Sequence, residues 1–180
     1  MLQIVNAPDP VLSKKARPIE KIDSGILNLI KEMEESLIQA TDPVGVGLAA
    51  PQVGKDLRIF IAKPTLKSKI SVFINPKIVK RLSPQKKINQ EKIRKLEGCL
   101  SLPDIWGEVL RYNEVFVEFK GTEGKKHTKK FHGFLATIVQ HEIDHLDGVL
   151  FPKRVLEQKG TLYKSEKNEN GEDVFEEIKI

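Results

Sequence analysis

Apolar residues recur along this chain at two different intervals, and those intervals divide it into helical and extended segments. Over about 23–40, Ile26, Ile30, Met33 and Leu37 follow helical spacing behind Asp23, a residue type that caps first turns. Over 133–150, Leu135, Ile138, Val139, Ile143 and Leu146 form one apolar stripe at about 100° per residue, with Gln140, Asp144 and Asp147 opposite. Elsewhere the period shortens to two. Segments 57–62 and 71–75 are short β-type runs, and 113–119 alternates cleanly. Residues 128–131 are placed to pair back onto that strand across Gly121-Thr122-Glu123-Gly124. The tail 173–180 has apolar positions at near-alternate spacing behind Asn170-Gly171, which predicts a strand or hairpin. Segment 81–95 is long and basic, and its pattern assigns it no element. The expected architecture is α+β: mixed or antiparallel β-sheet packed around a central helix over 133–150, with no internal repeat.

Composition adds bounds to this picture. With 180 residues and 39% hydrophobic content, the chain can bury one substantial core, so a single domain over 1–180 is expected. The start of the chain lacks a basic region followed by an apolar run, and nothing approaches the ~20 apolar residues of a membrane span. A cytoplasmic protein with no membrane or DNA partner is expected, or an organellar one in a eukaryotic host. The net charge of +5 comes partly from 77–95 and from Lys125-Lys126-His127-Thr128-Lys129-Lys130. A solvated charged face accounts for such a run as readily as a partner does.

The chemistry concentrates within the second helix. In His141-Glu142-Ile143-Asp144-His145 two imidazoles stand four residues apart, so one helical turn presents both to a single divalent cation. Glu142 sits beside them and falls inside the apolar stripe, where a carboxylate without a partner is costly. Its placement calls for a function, and proton transfer to or from a water held by the cation is the one this motif serves. Catalytic sites of this type use a third protein ligand and keep one position open. The long zinc-protease pattern would put a histidine at position 151, where this chain has Phe151, so that family is excluded. Glu157, Glu166 and Glu169 are downstream alternatives in a charged, loop-like stretch.

Cys99 is the stronger candidate for third ligand. It is the only cysteine, so no intrachain disulfide exists, and its thiolate suits the same metals as imidazole. Gly98 before it leaves the backbone room for an unusual turn. A further run, Gly45-Val46-Gly47-Leu48-Ala49-Ala50-Pro51-Gln52-Val53-Gly54, has glycines at alternate positions that allow close approach of backbone to a ligand. Ala50 stands where a dinucleotide fingerprint needs its third glycine, so that reading fails. Val46 and Leu100 flank the two loops, and Ile138 lies one turn before His141, so the three can wall an apolar substrate pocket.

Taken together, the amino-terminal Asn6-Ala7-Pro8-Asp9-Pro10-Val11-Leu12, the Gly45 to Gln52 run, Glu97-Gly98-Cys99-Leu100-Ser101 and the segment from Gln140 to Gly148 make the chain resemble peptide deformylase. The resemblance implies removal of the formyl group from formyl-methionyl nascent proteins. It implies Cys99, His141 and His145 as ligands of one divalent ion, with Fe2+ native and Zn2+, Ni2+ or Co2+ as alternatives. It implies Glu142 as general acid and base, Gln52 and the Leu100 N–H as oxyanion donors, and Gly47 as a backbone contact to substrate. It also makes attraction of the basic segments to ribosomal RNA near the exit tunnel a reasonable expectation. Trp106 departs from the family, which often carries a polar or basic residue there near the substrate channel. Two other functions compete: a metallopeptidase that cleaves internal bonds with a downstream glutamate as ligand, and a basic ribosome-binding module with a structural metal. The second needs a fourth protein ligand, and His127 and His132 share no register with the histidine pair.

Overall fold

A computed structural model describes residues 1–41, 43–84 and 95–179. Helix α1, Ser24–Gln39, begins where the Asp23 side chain accepts a hydrogen bond from the Ile26 N–H, as its spacing predicts. Five strands form one antiparallel sheet: β1 (Gly47–Ala49), β2 (Ile59–Ala62), β3 (Ser71–Pro84), β6 (Tyr112–Lys120) and β7 (Lys126–His132), in the order β1-β2-β3-β6-β7. Four more form a second antiparallel sheet: β4 (Lys95–Cys99), β5 (Leu102–Val109), β8 (Leu162–Lys167) and β9 (Asp173–Glu177), in the order β4-β5-β8-β9. Helix α2, Gly133–Leu146, packs on the first sheet, and α3, Phe151–Glu157, packs on the second.

Strand β2 explains why its sequence is apolar without alternation. Phe60 and Ala62 join a core with Ala136, Val139, Ile143 and Leu146 of α2. Ile59 and Ile61 point the other way, into a core with Leu29, Ile30, Met33 and Leu37 of α1. A strand covered on both faces needs apolar residues at every position. Phe60 and Phe73 stack across β2 and β3 with centroids 4.3 Å apart, an arrangement typically worth ~1 kcal/mol beyond burial alone.

The hairpins β6–β7 and β8–β9 form where the alternation and turn residues predict them. Four readings need correction. The central helix stops at Leu146 rather than running to 150, because Gly148 adopts φ 71° and the chain turns before α3. The stretch holding Glu157 and Glu166, read as loop-like, contains α3 and β8. Gln140 and Asp144, placed opposite the apolar stripe of α2, are buried as well, since Arg111, the start of β6 and helix α3 cover that side. Strand β3 extends well past the 71–75 run. Of the basic 81–95 segment, 81–84 finish β3 and residue 95 opens β4, while 85–94 lie outside the described residues.

Candidate active site

Helix α2 carries His141 and His145 on one flank, with ring centroids 5.0 Å apart. Cys99 reaches them from the other sheet. Gly98 pairs with Trp106 but Cys99 pairs with Leu102, an irregularity in the β4–β5 ladder that re-aims Cys99 toward α2. Its Sγ lies 3.2 Å from His145 Nε2, and one donor atom each from Cys99, His141 and His145 lie within 4.8 Å of one another. A thiol and two imidazoles at that spacing fit a divalent ion with a coordination position left over.

The donors are chemically prepared. Burial pushes the Cys99 thiol up, but the two imidazoles beside it outweigh burial and hold it well below the ordinary thiol range. Nδ1 of His141 faces Glu97 Oε2 at 3.0 Å, which leaves Nε2 as the ring nitrogen available to an ion. Glu97 in turn receives two hydrogen bonds from Arg111, at 2.8 and 2.9 Å. Arg111 continues to Asp144 Oδ2 at 2.6 Å, and Arg154 grips the same Asp144 carboxylate. Burial raises the Glu97 carboxyl, yet the hydrogen bonds from Arg111 and His141 bring it down to about 2, so it stays ionised.

Glu142 is 3% exposed, and its Oε2 has no hydrogen-bond partner among the described residues. Burial pushes its carboxyl up to about 7, with His141 and His145 opposing the rise. Gly47 packs against it closely: a Cβ there would overlap the Glu142 carboxylate and Ile138 Cγ2. Gln52 is 2% exposed and its amide has one possible orientation, since Oε1 accepts the Ala49 N–H at 2.8 Å. Its Nε2 therefore faces Cys99 Sγ, at 3.5 Å.

Of the sequence-expected residues, Val46, Gly47, Gln52, Cys99, Leu100, Ile138, His141 and Glu142 line a cavity of about 240 Å³, while His145 lies buried behind it against Cys99. The alternatives lie elsewhere. Glu157 pairs with Arg154, Glu166 with Lys164, and His127 with Glu123, and none joins the Cys99, His141 and His145 group. Arg111 and Asp144 escaped the sequence reading, because a buried network drawn from separate elements leaves no local period. Glu97 was legible only as the first residue of its motif.

A sequence profile described as polypeptide deformylase matches residues 1–160. The chain belongs to the polypeptide deformylase family. The peptide deformylase of Pseudothermotoga lettingae is 43% identical over 143 residues, covering 79% of this chain and 76% of that one. That of Symbiobacterium thermophilum is 39% identical over 173 residues, covering 96% and 75%. The crystal structure of the deformylase from Thermus thermophilus superposes with a TM-score of 0.77 at 39% identity, covering 88% of each chain. This deformylase is thus a metal-dependent hydrolase of N-formyl-methionyl peptides with an α+β fold. The internal peptidase and the structural-metal module find no support among these relatives. No helix of the described residues is long and apolar enough to cross a membrane.

Proposed function

We propose that Cys99, His141 and His145 hold the deformylase's divalent ion and that Glu142, Gln52 and Leu100 act on the substrate around it. An ion bound there supplies Lewis-acid polarisation of the formyl carbonyl and lowers the pKa of water toward neutrality. Glu142 takes a proton from the attacking water, and the new C–O bond turns the formyl carbonyl into an oxyanion. The Gln52 amide and the Leu100 N–H donate to that oxygen, contacts whose loss in comparable sites costs about 3 kcal/mol. Glu142 then passes its proton to the leaving nitrogen as the C–N bond breaks. Formate and a free amino-terminal methionine result. Val46, Leu100 and Ile138 form the apolar wall for the methionine side chain, and Gly47 offers backbone to the substrate.

The observation that carries this reading is the burial of Glu142 beside two imidazoles, with Gly47 leaving just enough space for its carboxylate. The test is formate release from a formyl-methionyl tripeptide. Wild-type protein should release it, and Glu142→Gln should bind metal yet fail to turn over. Likeness to the peptide deformylases supports ferrous iron as the native ion, while the thiolate and imidazole donors themselves also suit zinc, nickel and cobalt. The basic strand β7, with Lys126, Lys129 and Lys130, supports a weak and salt-sensitive attraction to ribosomal RNA in the cytoplasm. Co-sedimentation with ribosomes that is lost at high salt would bear this out.

A further inference from the structure

Trp106 stands in β5 opposite Gly98, one residue from the Cys99 thiol. A Cβ on Gly98 would come within 2.9 Å of the indole, so glycine there leaves room for the ring against the strand that carries Cys99. The ring borders the catalytic cavity on one side. It also borders a smaller cavity of about 120 Å³, which shares Pro43, Gly98 and Cys99 with the first and is lined further by Ser165, Glu166, Lys167 and Asp173. The indole thus lines both an apolar lobe that reaches Ile138 and a polar lobe that reaches the β8–β9 hairpin.

That hairpin fixes the ring from behind. The indole Nε1–H donates to Ser165 Oγ of β8 at 3.1 Å, and Phe175 of β9 meets the ring edge-on with centroids 5.8 Å apart at 88°. Tyr163 pairs with Trp106 in the ladder. Both hairpin strands follow residue 160, where the match to the family profile ends. The hairpin therefore lies beyond the stretch that the family profile describes, and it borders the smaller cavity through Ser165, Glu166, Lys167 and Asp173.

We propose that Trp106 is a specificity-determining residue, its indole packing against the peptide residues that follow formyl-methionine, and that Ser165 and Phe175 are positioning residues that hold it there. The inference rests on the reading of Cys99, His141 and His145 as the catalytic centre. Methionine occupies the apolar lobe walled by Val46 and Ile138, so the chain beyond it must leave past β4 and the ring beside Gly98. An aromatic face open to a cleft favours apolar, aromatic and cationic side chains over acidic ones.

The test compares formyl-Met-Phe-Ala with formyl-methionine amide, which has nothing beyond the methionine, using the metal-loaded enzyme. In Trp106→Ala the ratio of kcat/KM for tripeptide over amide should fall roughly tenfold, a loss carried by KM, the size expected for one aromatic contact. Phe175→Ala and Ser165→Ala should lower the same ratio by a smaller factor, and Ser165→Thr, which keeps the hydroxyl, should restore it. Trp106 is the only tryptophan, so its emission reports the ring directly. The product Met-Phe-Ala should shift that emission and methionine amide should not. An unchanged ratio in Trp106→Ala, or equal losses on both substrates, overturns the specificity role. Unchanged ratio and emission in both hairpin variants overturn the positioning role. Failure of the wild-type enzyme to release formate from either substrate would instead refute the underlying assignment of the site.

Discussion

The Glu97 carboxylate lies 3.0 Å from Nδ1 of His141, so the residue that opens the cysteine motif orients an imidazole of the histidine motif. Two segments 44 positions apart are thereby tied through a bond that has nothing to do with the thiol. Arg111 keeps that carboxylate ionised, and Asp144 with Arg154 anchors Arg111 in turn.

Glu97→Gln preserves the shape of this chain of contacts but removes its charge. Metal affinity should fall ten- to a hundredfold, the usual cost of losing a carboxylate behind a histidine ligand. Competition with a chelator of known affinity measures it. Arg111→Leu should do more damage, because Glu97 and Asp144 would be left as buried carboxylates short of a partner. A loss of about 3–5 kcal/mol is expected from denaturant unfolding, the range for breaking a buried ion pair from one side.

The ligand assignment separates two classes of variant. Cys99→Ser, His141→Ala and His145→Ala should each lose most of the bound metal, while Glu142→Ala keeps it and loses turnover. Metal content per protein, read beside formate release, distinguishes the classes. Loss of metal in Glu142→Ala would recast that residue as structural.

Gly47→Ala tests the tight approach of β1 to the Glu142 carboxylate, the proposed acid and base. The added methyl would overlap Glu142 and Ile138, so the carboxylate must shift. Misplacement of a reacting group by about 1 Å can cost on the order of a hundredfold, so kcat should drop by that order. Metal content should stay at the wild-type level, and normal kcat would mean the cleft yields more easily than its packing implies.

Metal identity carries its own signature. Ferrous ion and its thiolate ligand are both oxidisable, so iron-loaded enzyme should lose activity in air faster than nickel-loaded enzyme. Timed assays of the two preparations, with and without oxygen, decide it. Equal decay would count against iron as the working ion.

Local signals led to the correct elements where the cause was local. Asp23 caps α1, Asn170-Gly171 turns the last hairpin, and His141 and His145 share a flank because the helix repeats every turn. Cys99 was reachable through its chemistry, since a soft ligand beside a flexible glycine is unusual in a chain with no other thiol. What stayed hidden depends on distant partners. Asp144 looks like a solvent residue on its own helix, and only the arrival of Arg111 and Arg154 makes its burial tolerable. Gln140 is similar, buried because Tyr112 offers its backbone N–H and carbonyl to the side-chain amide. The stop of α2 at Leu146 reflects Gly148, whose left-handed φ outweighed the continuing apolar pattern.

Cys99 ends a strand of the four-stranded sheet, whereas His141 and His145 ride on the helix packed against the five-stranded one. An ion shared among them is a rivet between the two halves of the fold, and folding and loading become one equilibrium. At a free ion concentration about a hundred times its dissociation constant, that rivet adds about 2.7 kcal/mol to stability. A chelator used to switch off the chemistry would therefore also loosen the molecule, lowering its melting temperature along with its activity.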